Sequence, residues 1–361
     1  MENFHGANLF ELARELDCKT EDIMDFSSNI NPLSPSSKAL EFLRENLSLI
    51  RTYPDPNYKD LKAAISSYAG GNFQNIILGL GSTEVLSNAI EIIRPKKSLL
   101  LSPCYSEYEK ELKKARSEIF YYPLREKNNF AIDLNLLIDT INKENIDLFV
   151  FANPNNPTGS ILLKDEIKSI LEKTKSFVLT DETYVEFTDM NLYSAGDLTK
   201  SYENLLVTRG TSKFFGVPGL RLGYGLTSSK KLLEAFKNRE ILWQINICAD
   251  LMGQKMFSDK EYIKKVYEFM KNERERIFED LSEISSLKLF KSYGNFILVK
   301  IKGDFSAKDL REKLKKSRII IRDLSNFKGL SEKYFRFCLL DKNSNQIFSQ
   351  KLKELLYEKN I

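Results

Sequence analysis

A single histidine, His5, stands in the 361 residues. A multi-histidine metal centre is therefore excluded, and a Ser–His or Cys–His dyad would have to be built on that one residue. Cysteine is scarce as well. Cys18, Cys104, Cys248 and Cys338 lie far apart, with no C-x-x-C pair. That suits unpaired thiols in a reducing cytoplasm. No apolar run is long enough to span a bilayer. The opening MENFHGANLFELAREL lacks the basic-then-apolar order of a secretory signal. The excess of one charge sign is small, +4 from 54 basic and 50 acidic residues, with both signs interspersed. Neither nucleic acid nor a membrane is expected as a partner. Low-complexity tracts and internal repeats are missing too. Catalysis by such a chain must rest on lysine, carboxylates, tyrosine or a cofactor.

What is there is an ordinary globular composition, 42% hydrophobic and 29% charged, in a chain long enough for two domains. From about residue 60, short apolar runs alternate with helical patterns. NIILGLG, SLLLSP, DLFVFANP, SFVLTDE and NLLVTRG are of strand length, and RLGYGL follows closely as another. KDLKAAISSYA and STEVLSNAIEII read as helices, the second with Ser82 and Thr83 at its start. This alternation predicts an α/β fold around a mainly parallel, doubly wound sheet. After about residue 230 the pattern changes to KKLLEAFKNREILWQIN, a long charged helix from Lys260 to about Leu281, and then short strands among amphipathic helices. A smaller α+β domain is expected there. The divisions are an N-terminal arm over 1–35, a large domain over 36–235 and a small domain over 236–361.

Each apolar strand of the first domain is followed at once by polar or special residues. Gly79, Gly81, Ser82 and Thr83 follow one, and Pro103 and Tyr105 the next. Asn153, Asn155, Asn156 and Gly159 follow the third, and Asp181, Glu182 and Tyr184 the fourth. Thr211, Ser212 and Lys213 follow the fifth. In open parallel sheets the ligand crevice lies outside the carboxyl ends of the strands, so five segments converge. Gly81, Ser82 and Thr83 offer N–H groups and hydroxyls at a helix N-terminus, a seat for phosphate. Tyr105 offers an aromatic face. Asp181 can hold a ring nitrogen protonated, because an opposite charge favours the ionised form. Asn156 and Tyr184 can hydrogen-bond a phenolate oxygen, and Lys213 can form a Schiff base. Phosphate, aromatic ring, pyridine nitrogen, phenolate and aldehyde together describe pyridoxal phosphate.

With N-P-N-N-P-T-G (153–159), D-E-x-Y (181–184) and S-K-x-x-x-x-x-G-x-R (212–221) in this order, the chain resembles the fold-type I pyridoxal-phosphate enzymes of the aminotransferase class I/II superfamily over essentially its whole length. The resemblance implies a large domain with a mainly parallel, seven-stranded-type sheet and a smaller C-terminal domain. It makes Lys213 the Schiff-base lysine, Asp181 the partner of the pyridine nitrogen, Asn156 and Tyr184 the contacts of the ring oxygen, and Tyr105 the stacking ring. Ser82, Thr83 and Arg221 would hold the phosphate. Gly210 stands where relatives usually have Ser or Thr on that phosphate, and Thr211 or Ser212 is expected to compensate. Tyr53, in R-T-Y-P-D, matches a tyrosine that reaches the phosphate of the neighbouring subunit, which implies a homodimer. Arg336, in Y-F-R-F, matches the arginine on the substrate α-carboxylate.

Two branches of the superfamily share these motifs. F-H-G-A-N (4–8), D-F-S-S-N-I-N-P-L (25–33), T-S-K-F-F-G-V-P-G-L-R-L-G-Y and I-I-I-R-D-L-S-N-F-K-G-L resemble the threonine-phosphate decarboxylases of cobalamin synthesis. That pattern implies that His5, Asn31, Arg322 and Arg336 face the substrate, His5 and Arg322 towards its phosphate. The histidinol-phosphate aminotransferases are the alternative branch. A cytoplasmic enzyme with a small phosphorylated amino acid as substrate is the expectation.

Overall fold

A computed structural model describes residues 6–357 of the chain. Its strands are β1 (Met24–Asp25), β2 (Ile76–Gly79), β3 (Lys97–Ser102), β4 (Glu118–Pro123), β5 (Leu148–Ala152), β6 (Phe177–Asp181), β7 (Leu205–Gly210) and β8 (Gly223–Thr227) in the first two thirds. β9 (Leu287–Leu289), β10 (Phe296–Ile301), β11 (Ile319–Ile320), β12 (Arg322–Asp323) and β13 (Tyr334–Cys338) follow. Seven of them form one sheet in the order β2-β8-β7-β6-β5-β3-β4. β3 to β7 run parallel, while β8 is antiparallel to both its neighbours, β2 and β7. The expected α/β fold with a mainly parallel sheet is observed.

The reason lies in the strands themselves. Every residue of β5 and β7 is buried. A strand apolar on both faces needs helices above and below it, which is the requirement of a parallel sheet. The helix Ser82–Ile93 supplies one such cover through Val85, Leu86, Ala89 and Ile90, at the spacing of one helical face. β4 is a strand that the sequence pattern does not announce. It pairs only with β3 at the sheet edge and most of its residues are half-buried or exposed.

The second lobe is built on a four-stranded sheet, β12-β13-β10-β9. The long helix Lys260–Ser282 packs on it with Tyr262, Val266, Met270, Ile277 and Leu281 buried in one stripe. Two segments show detail that the sequence pattern leaves open. The stretch KKLLEAFKNREILWQIN is helical over Lys230–Arg239, and a second helix, Ile247–Met256, begins just beyond its end after a turn. That second helix packs on Ser37–Glu45 and Lys59–Ala69 of the large lobe. RIIIRD, read from the sequence as one of the short strands of the small domain, is split in two. Ile319–Ile320 pairs in parallel with Met24–Asp25 in a separate two-stranded sheet, and Arg322–Asp323 belongs to the small lobe's sheet. The N-terminal segment is thereby tied to the small lobe, and DFSSN (25–29) runs on from that strand pair. Among the described residues, no helix is long and apolar enough to cross a membrane.

Candidate active site

The carboxyl ends of β2, β3, β5, β6 and β7 open on one cavity of about 260 Å³, closed from the other side by the small lobe and the N-terminal segment. Gly81, Ser82 and Thr83 line it at the start of the helix Ser82–Ile93. Gly81 has φ +89, which a side chain would resist. Opposite it, a Cβ on Gly223 would come within 2.2 Å of the Ser82 amide nitrogen, so β8 approaches this helix start only as glycine. Arg221, held by hydrogen bonds from Nη2 to the Leu80 carbonyl (3.0 Å) and from Nη1 to that of Pro218 (3.2 Å), adds a cation beside the same N–H groups. Helix N-terminus, hydroxyls and guanidinium together suit a phosphate.

Thr211 or Ser212 is expected to compensate for Gly210 there, and the structure separates the two. Ser212 lines the cavity. Thr211 does not: it is buried, its Oγ1 donating to the Leu222 carbonyl at 3.1 Å. Gly210 lines the cavity, and a Cβ on it would stand 3.3 Å from Ser82 Oγ. A hydroxyl residue at 210 would crowd the one that Ser82 already supplies.

Asp181 ends β6, 8% exposed. Its Oδ1 accepts from the Thr183 amide (3.0 Å) and Thr183 Oγ1 (2.6 Å), and its Oδ2 accepts from the Tyr108 hydroxyl (2.8 Å). Burial pushes its carboxyl up, and these donors, with Lys213 behind them, pull the other way. Tyr108 and Thr183 were not found from the sequence. Thr183 is the open position of D-E-x-Y, and Tyr108 lies three residues beyond Tyr105 on the helix Ser106–Lys114. Tyr105 lines the cavity at the head of that helix.

Lys213 reaches the cavity floor, where Nζ donates to the Ser28 carbonyl at 2.7 Å. Surrounding protein strips its solvent and the Arg336 guanidinium repels it, which lowers its ammonium to about 8. Tyr184 lines the cavity and accepts a hydrogen bond from Asn29 at 3.1 Å. Asn156 lines it too, its Oδ1 accepting from Arg336 Nη1. Arg336 also donates from Nη2 to the Ser27 carbonyl at 2.6 Å. Its Nε is buried without a hydrogen-bond partner among the described residues. Arg322 stands on the same wall with Phe327, whose ring centroid is 5.8 Å away. Burial, then Arg336, lowers the Arg322 guanidinium to about 10.

Asn31, Tyr53 and His5 do not line this cavity among the described residues. Asn31 does not face the cavity. Its Nδ2 donates to the Phe214 carbonyl and the Tyr262 hydroxyl, and its Oδ1 accepts from the Leu33 amide. Its backbone amide donates to the Lys213 carbonyl at 3.0 Å, so it steadies the lysine loop instead. Tyr53 is 74% exposed, stacked on Trp243 at 4.1 Å, outside the cavity of its own chain. His5 lies outside the described residues. Gly6, Ser27 and Ser28, which line the cavity, were missed.

A phosphate cradle, a buried carboxylate and a lysine poised near neutrality occupy three sides of one cavity. That donor set fits pyridoxal phosphate. The match to the family described as aminotransferase class I and II covers residues 21–352, and the chain belongs to that family. The family is dependent on pyridoxal phosphate, the cofactor expected from the strand ends. A protein of Caldanaerobacter subterraneus subsp. tengcongensis, provisionally named a threonine-phosphate decarboxylase, is 37% identical over 99% of this chain and 95% of its own length. The crystal structure of the histidinol-phosphate aminotransferase from Clostridium acetobutylicum matches with TM-score 0.87 and 32% identity, over 94% of this chain and 100% of that one. That of L-threonine-O-3-phosphate decarboxylase from Porphyromonas gingivalis matches with TM-score 0.79 and 25% identity, over 91% and 99%. The chain is an enzyme of the pyridoxal-phosphate-dependent class I/II superfamily.

Proposed function

We propose that the chain decarboxylates L-threonine O-3-phosphate, releasing carbon dioxide and leaving aminopropanol phosphate for cobalamin biosynthesis. The observation that carries this reading is the pair of arginines, Arg336 and Arg322, on one cavity wall, with Arg336 Nε buried and unpartnered among the described residues. A substrate with an α-carboxylate and a distal phosphate carries two anions and needs two cationic anchors. The similarity to two decarboxylases supports the same choice.

Pyridoxal phosphate, when bound, supplies the electron sink that accepts the pair left on Cα as a bond there breaks. The rest falls to the chain. Lys213 would join the cofactor, Asp181 would hold its ring nitrogen protonated, and Asn156 and Tyr184 would hold its ring oxygen. Ser82, Thr83, Ser212 and Arg221 would seat its phosphate, and Tyr105 would cover the ring. Arg336 takes the substrate carboxylate and Arg322 the substrate phosphate, which together fix the torsion about Cα. The bond that breaks is the one held perpendicular to the ring, so the anchors choose between carboxylate loss and proton loss. After carbon dioxide leaves, Cα needs one proton, and an ammonium titrating at about 8 can deliver it near neutral pH.

Transamination of histidinol phosphate is the second reading, supported by the similarity to the Clostridium enzyme. Incubation of the holoenzyme with threonine phosphate decides between them. Stoichiometric carbon dioxide without keto acid is expected. Efficient transamination of histidinol phosphate, with no carbon dioxide from threonine phosphate, would overturn the proposal. A homodimer belongs to the same reading. Ile50, Tyr53, Ile241 and Leu242 are exposed beside the Tyr53–Trp243 stack, apolar surface of the kind a second copy covers. Tyr53 would then reach the phosphate of the partner's site.

A further inference from the structure

We propose that Tyr108 is the positioning residue that keeps the proton of the Asp181–cofactor pair on the ring nitrogen. The inference rests on the reading of Asp181 as partner of that nitrogen. Among the described residues, Asp181 meets three protein donors. The Thr183 amide and hydroxyl occupy Oδ1, and the Tyr108 hydroxyl occupies Oδ2 at 2.8 Å. Tyr108 is the one donor of the three that comes from outside the Asp181 turn. It reaches β6 from the helix Ser106–Lys114, across 73 residues of sequence.

The direction of that bond is fixed by chemistry. Tyr108 is buried, and both burial and the Asp181 charge hold its hydroxyl protonated well above the ordinary range. It can only donate to an ionised carboxylate. A donor to the charged form makes a carboxylate less basic. In a hydrogen-bonded pair of carboxylate and pyridine nitrogen, the less basic carboxylate leaves the proton on the nitrogen, where it sharpens the electron sink. Burial alone would act in reverse, because it pushes the Asp181 carboxyl up. Tyr108 therefore offsets the cost of the dry site in which Asp181 must work. Its ring has a second contact, edge-on to Tyr105 at 5.4 Å, which a phenylalanine would keep.

The test is the nitrogen-15 NMR position of ring-labelled pyridoxal phosphate in the holoenzyme, a reading of protonation that does not depend on turnover. Wild type is expected in the pyridinium range and Asp181→Asn in the neutral range. Tyr108→Phe is expected between them, since one hydrogen bond to a charged group shifts the proton partition by about tenfold or more. A merely structural role would lower stability and leave the resonance in place. Wild-type position in Tyr108→Phe, with Asp181→Asn neutral, overturns the role of Tyr108 alone. Identical positions in wild type and Asp181→Asn overturn the reading of Asp181 and this inference with it. If Tyr108→Phe does not fold, Thr183→Val, which removes the 2.6 Å donor, is expected to move the resonance the same way, and no movement there overturns the mechanism.

Discussion

Arg336 of the small lobe and Asn156 of the large lobe are joined directly, Arg336 Nη1 donating to Asn156 Oδ1 across the cavity wall. The same guanidinium holds the Ser27 carbonyl, so one side chain gathers three separate parts of the chain. It also fixes the Asn156 side chain through its Oδ1. The residue proposed to bind the substrate carboxylate thus also orients a residue proposed to bind the cofactor.

Replacing Arg336 should therefore harm two steps at once. Arg336→Ala removes a charge-assisted, two-pronged anchor worth about 1.5–3 kcal/mol per bond. We expect kcat/KM for threonine phosphate to fall by about a hundredfold or more. Arg336→Lys should recover little, because an ammonium cannot reproduce the planar fork that spans Asn156 and Ser27. Wild-type kcat/KM in Arg336→Lys would show that the fork is not needed.

Lys213 sets a pH dependence. Its ammonium titrates at about 8, lowered first by burial and then by Arg336. Only the free amine attacks an aldehyde. The rate at which apoprotein takes up pyridoxal phosphate covalently should rise with pH and level off above about 8. Lys213→Ala should bind the cofactor without forming the bond that borohydride fixes. Stopped-flow absorbance across pH 6 to 10, roughly bracketing that value, checks the first expectation. A plateau reached only near the ordinary lysine range would mean the burial argument is wrong.

A second buried group points to stability rather than catalysis. Glu186, next in the chain to Val185 beyond D-E-x-Y, is buried, and its Oε2 has no hydrogen-bond partner among the described residues. Burial raises its carboxyl to about 7, although Arg209 nearby opposes this. Arg209 itself is paired with Glu182 at 2.8 Å and cannot fully neutralise a second carboxylate. The folded chain thus binds a proton that the unfolded chain has released between about pH 4.5 and 7, so stability falls as pH rises through that window. Above it the deficit reaches roughly 3 kcal/mol, at about 1.4 kcal/mol per pH unit. Glu186→Gln should unfold at higher urea than wild type at pH near 8, and lose that advantage near pH 5, about the unperturbed glutamate range. Parallel urea curves with a pH-independent difference would remove Glu186 as the source.

How far the sequence anticipates this site depends on what each residue answers to. Strands buried on both faces, such as LFVFA and the LLV that opens β7, are legible because their surroundings demand continuous apolar character. β4 is not, since an edge strand with one neighbour tolerates Glu118 at its start and Pro123 at its end. Motif residues at strand ends were found because each sits directly behind such a run. Tyr108 was missed because a tyrosine inside an amphipathic helix has no local mark that it faces Asp181 rather than the core. Asn31 was misplaced for the converse reason. Its amide is consumed by Phe214, Tyr262 and Leu33, partners up to 231 residues away, which no local pattern reveals. Thr211 and Ser212 are adjacent past the end of β7, and the Thr211 hydroxyl is taken by the Leu222 carbonyl, a partner that no local pattern reveals.

The last prediction concerns substrate choice. Arg322 lies on the cavity wall with Arg336, and the two repel each other. Its guanidinium falls to about 10, chiefly through burial and next through Arg336, yet it stays fully charged at neutral pH. Two cations held this close are stabilised when each meets an anion of its own. Arg336 has a buried, unpartnered Nε among the described residues and the Asn156 contact, which fits the carboxylate role proposed for it. Arg322 sits beside Phe327 and lines the cavity with Gly6 of the N-terminal segment, a position that suits the distal phosphate proposed for it. One charge-assisted bond is worth about 1.5–3 kcal/mol, so its loss costs roughly ten- to a hundredfold in kcat/KM. Arg322→Ala should impair threonine phosphate by that factor and leave unphosphorylated threonine, already a poor substrate, nearly unchanged. The measurement is the ratio of kcat/KM for the two substrates in wild type and variant. A ratio that collapses places the phosphate on Arg322. Equal losses on both substrates would move the phosphate elsewhere and leave Arg322 a role in holding the small lobe's wall of the cavity.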